Sequence, residues 1–414
     1  MKKLQLLSLL ALSSVCLTAC GGSEYKPEPD FKASDVKVGL ICLHGDYSTY
    51  DANFINAMKA TGKKLGFEPQ IVEDIEEGQP CYDKAAELAE LGCNIVFADS
   101  FGHEPYMINA AKAYKDTLFC HATGTSAANE NLANFGDAFA SIYEGRYLAG
   151  VAGGLKLAAL YGEGDGAKVS AENAVVGYVG AFTYAEIISG FTSFFLGVRS
   201  VVPNATMKVK YSGSWYDETK ERSIATELIS QEGCKLISQH ADSHGAPSAC
   251  ETLGVPNVSY NGSTLSDGPN TYLISSRINW APYYEHVINN YVKARQEGSK
   301  RVVENDFTGT LKDGSVEVLE CSANCPAGAQ ATIDSVKAEL IAGTRHVFDT
   351  SKFTVKGATP SAENMKPGDA TWPNMPANVD LLKGGYYHES EFRSAPSFDV
   401  IIDGITNLNV NFGE

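Results

Sequence analysis

The feature that most constrains this chain is a repeated switch of hydrophobic period. Short β-rich runs ending in small or polar residues alternate with longer stretches whose apolar side chains recur every three to four positions. Residues 36–41, 68–72, 94–98 and 117–121 are the first four such runs. Between them Phe54, Ala57, Met58 and Leu65 fall at helical spacing, and 82–91 and 105–114 carry helical patterns. A regular strand–helix–strand succession predicts a parallel sheet with helices on both faces. Runs 175–180, 207–211, 235–238 and 257–260, separated by helical stretches 185–198, 217–232 and 246–253, repeat the arrangement without repeating the residues.

At 414 residues the chain is too long for one ordinary core and suits two lobes. The predicted fold class is α/β, with two lobes that are each a parallel sheet flanked by helices, followed by a C-terminal extension. The rhythm breaks over 129–140, which places the first lobe crossing near Asn134, before a long helix over 141–160. Residues 272–276 read as a strand that crosses back, and 280–295 as a helix on the first lobe. These assignments give lobe 1 as 36–134 and 277–307, and lobe 2 as 135–276 and 308–414. A helix is expected near 331–342 and a strand over 398–402. Residues 355–390 are rich in Gly, Pro, Asn and Asp and read as a surface extension.

The N-terminus is of another kind. Met1-Lys2-Lys3 precedes an apolar run over 4–15, which is of signal-peptide length and too short to span a bilayer. Leu17-Thr18-Ala19-Cys20 then resembles a bacterial lipobox. That resemblance implies a signal peptide over 1–19, cleavage before Cys20 and diacylglycerol on its sulfur. Residues 20–35 read as a polar tether that holds a lipid-anchored domain off the extracytoplasmic face of the cell membrane. Losing Lys2 and Lys3 moves the formal charge from −17 to −19, a surface that repels nucleic acid. Of the ten cysteines, Cys321 and Cys325 are the best disulfide candidates in an exported chain, and most others sit in apolar patterns. No Cys/His pairs have metal-site spacing, so neither a metal nor a cofactor is expected.

In open parallel sheets ligands bind beyond the carboxyl ends of the strands. Those ends carry 44–51, Asp99-Ser100-Phe101, Phe182, Ser214-Trp215, Asp242-Ser243, Asn261, Arg277 and Trp280. Aromatic rings combined with carboxylates suit a flat ligand bearing hydroxyls, because rings stack on π-faces and carboxylates accept from hydroxyl donors. An anionic ligand would call for more Arg and Lys or a Gly-rich phosphate cradle, and no phosphate loop is present. Each residue also has an ordinary role open to it. Phe54, Phe182 and Trp215 can be packing aromatics, Asp242 a helix N-cap, and Arg277 half of an ion pair. His240-Ala241-Asp242-Ser243-His244 crowds catalytic residue types together, but Gly245 and Pro247 make it a loop, and no Gly-x-Ser-x-Gly elbow occurs.

Tyr178-Val179-Gly180-Ala181-Phe182, Gly213-Ser214-Trp215-Tyr216-Asp217, Glu144-Gly145-Arg146-Tyr147-Leu148-Ala149-Gly150 and the 51–57 segment resemble the basic membrane protein family. These are lipoprotein substrate-binding proteins of ABC importers with a type I periplasmic-binding-protein fold. The resemblance covers about 36–349, and 389–396 is similar to the tail of a long-chained branch. It implies a non-enzymatic monomer that binds a purine nucleoside and hands it to permease and ATPase subunits. It also implies a base sandwiched by Phe54 and Phe182, with Trp215 or Phe101 also eligible. The family's ribose-binding acid reads Asn261 here, so that either Asp242 takes that role or the sugar contact differs, and its Lys after the crossing strand reads Arg277. The family's Ser-Phe-Asn reads Asn53-Phe54-Ile55, so its base-contacting Asn is either missing here or displaced to Asn53. With Asp51, Asp99 and Ser100 these form the expected ligand-binding set. A sugar ligand, a sensory receptor and an extracellular hydrolase built on the 240–244 loop are the alternatives.

Overall fold

The thirteen strands of the computed structural model, which describes residues 25–299, 304–373 and 375–410, form two separate sheets. The strands are β1 (Val38–Ile41), β2 (Gln70–Val72), β3 (Ile95–Ala98), β4 (Leu118–Ala122), β5 (Phe135–Ala140), β6 (Val175–Gly180), β7 (Thr206–Tyr211), β8 (Leu236–His240), β9 (Asn257–Tyr260), β10 (Tyr272–Ile278), β11 (Asp306–Gly309), β12 (Val316–Val318) and β13 (Ile405–Asn407). The helices are α1 (Thr49–Leu65), α2 (Gln79–Glu90), α3 (Glu104–Ala113), α4 (Ala127–Glu130), α5 (Ile142–Tyr161), α6 (Ala185–Val201), α7 (Glu218–Ser230), α8 (Gly245–Leu253), α9 (Ala281–Glu297) and α10 (Ala329–Ile341). The proposed signal peptide and lipidated Cys20 lie outside the described residues. No described helix is long and apolar enough to cross a membrane.

The first sheet has the order β11-β5-β4-β3-β1-β2 and is parallel throughout. The second has the order β12-β10-β9-β8-β6-β7-β13, and β12 runs antiparallel to β10. A purely parallel second sheet was the expectation, and chain direction explains the difference. At its carboxyl end β10 leaves this sheet for the first, whereas β12 enters from the first through the same passage, so the two run in opposite senses. Residues 135–140, assigned above to the second lobe, are β5 of the first sheet. Their sequence, Phe-Gly-Asp-Ala-Phe-Ala, is buried at every position, so the apolar–polar alternation that marks a half-exposed strand is missing.

The chain passes between sheets three times: after β5, after β10 and after β11. The three passages run side by side. Ser141 N donates to the Gly309 carbonyl at 2.8 Å, and Asn279 N to the Ser315 carbonyl at 2.8 Å. Local chemistry sets the helix ends nearest the strand tips. Ser48 caps α1 by accepting from Asp51 N, and Gly66 ends that helix at φ 86°. Asp217 caps α7 by accepting from Lys220 N at 3.0 Å. Helix α5 crosses α6 at glycines. A Cβ on Gly150 would lie 2.0 Å from the Phe194 carbonyl oxygen, so only glycine permits this approach.

The C-terminal stretch folds back over the second sheet. Phe398 stacks on Phe348 at 4.4 Å, and Phe353, Met365, Leu381 and Tyr387 are buried with them. The strand expected over 398–402 is absent. Phe398 and Ile402 are buried without a ladder, and the strand itself is β13, which adds to β7. Cys321 and Cys325 stand as free thiols, with Cys325 Sγ 3.4 Å from the Leu273 carbonyl.

Candidate functional site

The carboxyl ends of β1, β3 and β4 face those of β6, β7, β8 and β9 across a narrow cavity of about 20 Å³. Its walls are in contact. Thr49 donates to the Asp242 carbonyl through N (3.1 Å) and Oγ1 (3.2 Å), and Asn53 Nδ2 donates to Asn261 Oδ1 at 3.4 Å. Phe101 packs on Tyr184 at 5.3 Å, and Tyr216 packs on both His44 and Tyr47. This is a closed cleft.

Six of the expected residues line it: Asp51, Ser100, Phe101, Trp215, Asp242 and Asn261. Asp51 sits in the first turn of α1, where it accepts from His44 N (2.8 Å) and Ser48 Oγ (2.5 Å). Burial alone would raise its carboxyl, but these hydrogen bonds outweigh burial and hold it below the usual value. Asp242 differs. Burial, together with the carboxylates of Asp51, Glu221 and Glu186, pushes it well above the usual range, against a 3.3 Å hydrogen bond from Asn261 Nδ2. One wall therefore offers a charged acceptor and the other a carboxyl that holds its proton and can also donate. Thr123, at φ 143°, and Asn261, at φ 67°, are non-glycine residues in sparsely populated backbone regions, and both line the cavity.

The other five expected residues fall elsewhere. Asn53 bridges the walls through Asn261. Asp99 is fully buried, with Oδ1 accepting from Leu43 N at 3.0 Å. Burial and the neighbouring Asp51 drive its carboxyl well above the usual range. Phe54 is buried and stacks on Trp280 at 4.4 Å. Phe182 lies 5.0 Å from Trp215 and 5.3 Å from Tyr184, so it backs a wall that Trp215 presents. Arg277 faces Glu317 across the β10–β12 pairing at 2.8 Å and does not line the cavity. The cavity also takes in Leu43, His44, Tyr50, Thr123, Glu186 and His240. Tyr50 and Glu186 had a weak signal in the sequence, because each sits in the first helical turn after a strand end. His240 lies 3.3 Å from Glu186, and burial holds its imidazole below the usual value despite that carboxylate. His244 instead bonds Asp267, so the 240–244 loop does not converge on one point. No Lys or Arg is among the described lining residues.

Cys42, Asp51 and Asp99 bring potential metal ligands together behind the cleft, but the Asp51 oxygens are already engaged by His44 and Ser48. A second set, Glu104, His121 and Asp137, lies beside the cleft under the 124–127 loop.

Residues 48–324 match the sequence profile of the Bmp family, described as ABC transporter substrate-binding protein, PnrA-like. The chain belongs to this family. It is thus the extracytoplasmic solute-binding component of an ABC importer, which binds a small molecule and delivers it to a permease without transforming it. A purine-binding protein of Brucella abortus is 28% identical over 344 residues, 82% of this chain and 89% of that one. A protein of Haloferax volcanii described as an ABC transporter glucose-binding protein is 35% identical over 267 residues, 64% of this chain and 62% of that one. Solved solute-binding proteins from Aeropyrum pernix K1 and Conexibacter woesei share the fold. The first has a TM-score of 0.59 at 15% identity, covering 75% of this chain and 92% of that one. The second has 0.57 at 18%, covering 75% and 98%.

Proposed function

We propose that this Bmp-family receptor binds a purine nucleoside in the cleft between two lobes, one built on each sheet. The observation that carries the reading is the composition of the cavity. Tyr50, Phe101 and Trp215 provide ring faces, Asp51, Glu186 and Asp242 provide oxygen acceptors, and the described lining contributes no Lys or Arg. Such a site favours a neutral, flat, hydroxyl-bearing ligand over an anion. The similarity to a purine-binding protein supports the same ligand class. The three passages between the sheets would serve as the hinge. The receptor would act as a monomer, tethered by lipid on Cys20 and handing its ligand to the permease and ATPase pair.

A sugar is the second reading, favoured by the acidic side chains of Asp51, Glu186 and Asp242 and by the Haloferax volcanii relative. Thermal-shift measurements on the purified mature chain separate the two, because a ligand raises the midpoint according to its occupancy. Adenosine, guanosine or inosine should raise it more than glucose or ribose. A shift with glucose and none with any nucleoside would refute the nucleoside assignment.

A further inference from the structure

We infer that Glu104, His121 and Asp137 form a buried divalent-cation site of the zinc class beside the ligand cleft. The three side chains come from three elements. His121 on β4 and Asp137 on β5 are register partners, so they project from the same face of the first sheet. Glu104 opens α3 and is 6% exposed. Their potential ligand atoms all lie within 4.8 Å of one another.

Backbone groups hold all three side chains in place. Glu104 Oε1 accepts from Thr125 N (2.8 Å) and Ser126 N (2.6 Å). Asp137 Oδ2 accepts from Ser126 N (3.0 Å) and Ala127 N (2.8 Å). One oxygen of each carboxyl thus takes two backbone donors, and burial lifts the Asp137 carboxyl to about 7 against the pull of His121. His121 Nε2 lies 2.6 Å from the Ser100 carbonyl, which can only accept, so Nε2 carries the hydrogen. In the neutral ring Nδ1 then presents a lone pair. That atom and Asp137 Oδ1 are 3.5 Å apart, both buried, and neither makes a hydrogen bond. With the ring neutral, two acceptors face each other across this gap; with Nδ1 protonated, His121 would pair with Asp137 instead.

A metal ion fits this gap. At typical Zn–N and Zn–O lengths of about 2.0–2.1 Å, two ligand atoms 3.5 Å apart subtend about 115° at the metal, close to tetrahedral. The Nε2–H bond to a backbone carbonyl is the usual second contact of a metal-binding histidine. One imidazole with two carboxylates suits zinc better than calcium or magnesium, which take oxygen ligands. Gly124 keeps the position open, since a Cβ there would lie 2.1 Å from Asp137 Oδ1 and 2.7 Å from Glu104 Oε1. A cavity of about 140 Å³, whose lining includes Gly124, Thr125, Asp137 and Asp306, adjoins the site. A bound ion would tie β4, β5 and α3 to the 124–127 loop, immediately behind Ser100 in the cleft wall.

The full mature chain, stripped with a chelator, should bind one equivalent of Zn²⁺ by calorimetry and show a tetrahedral visible spectrum with Co²⁺. Asp137→Asn and Glu104→Gln should each weaken Zn²⁺ binding about 10-fold or more while leaving the circular dichroism of the chelated protein unchanged. If one variant fails to fold, the other variant and the wild-type Co²⁺ spectrum still decide the matter. Three results would overturn the site: no saturable Zn²⁺ binding, affinity undiminished in both variants, or a hydrogen on His121 Nδ1 seen by ¹⁵N NMR in zinc-saturated protein.

Discussion

Replacing Glu221 by glutamine is expected to make the protein more stable at pH 8 while changing little at pH 4.5. Glu221 is fully buried in the first turns of α7, where Oε1 accepts from Asp217 N at 3.0 Å. Burial is the main force that lifts its carboxyl from 4.5 to about 7, with the nearby Asp217 carboxylate adding to it. Below about pH 4.5 the folded and unfolded chains both hold the proton. Between about pH 4.5 and 7 the unfolded chain releases it while the folded chain keeps it, so stability falls as pH rises. Above about 7 both forms are ionised and the full cost remains. A difference of about 2.5 pH units at about 1.4 kcal/mol each amounts to about 3 kcal/mol. Glutamine is neutral throughout and can keep the bond from Asp217 N. The charge of Glu221 also helps to hold Asp242 protonated, so its removal acts in the same direction there. Urea unfolding followed by tryptophan fluorescence, for both proteins at both pH values, isolates the effect from other carboxyls. The variant should gain about 2–3 kcal/mol at pH 8 and less than about 1 kcal/mol at pH 4.5. An equal change at both pH values would show that Glu221 carries no buried-charge penalty.

Trp215→Ala should weaken nucleoside binding by about 1–3 kcal/mol in calorimetry, the scale of a lost base–ring stack. Arg277→Ala should leave ligand affinity unchanged in the same assay, because Arg277 pairs with Glu317 away from the cavity, and such half-exposed pairs contribute about 0–1 kcal/mol to stability. Gly150→Ala should destabilise the fold by about 3 kcal/mol or more, read as a lowered thermal midpoint, since the new methyl meets the backbone of α6 rather than a movable side chain. Arg146→Ala should cost about 2–5 kcal/mol in chemical unfolding, from the cavity left and the hydroxyls and carbonyls that lose their donor. Arg146 is fully buried, donates to Tyr178 Oη (2.8 Å) and Ser238 Oγ (3.0 Å), and lies 4.7 Å from the centre of the Tyr260 ring.

The alternation of hydrophobic period by itself determined the two strand–helix series, the α/β class and the strand ends at which Asp51, Ser100, Phe101, Trp215, Asp242 and Asn261 sit. Period and turn chemistry are local, so a run of residues carries them unaided. Tertiary structure decided everything that depends on which strands are neighbours. β5 belongs to the first sheet because it pairs with β4 and β11, and its uniformly buried sequence has no alternation to announce it. Arg277 meets Glu317 only because β12 enters beside β10 in the opposite sense. Phe54 stacks on Trp280, more than two hundred positions away, and so leaves the ligand wall to Tyr50 and Trp215. Glu186 and His240 become a pair inside the cleft through the closure of α6 over β8. Glu104, His121 and Asp137 lie too far apart in the chain for any ligand-spacing rule to connect them, and they converge through strand register and the placement of α3. The physical reason is common to these cases. A side chain's period and backbone preference are properties of its neighbours in sequence, whereas its partner, its dielectric surroundings and its protonation are set by residues that only the packed sheets bring near.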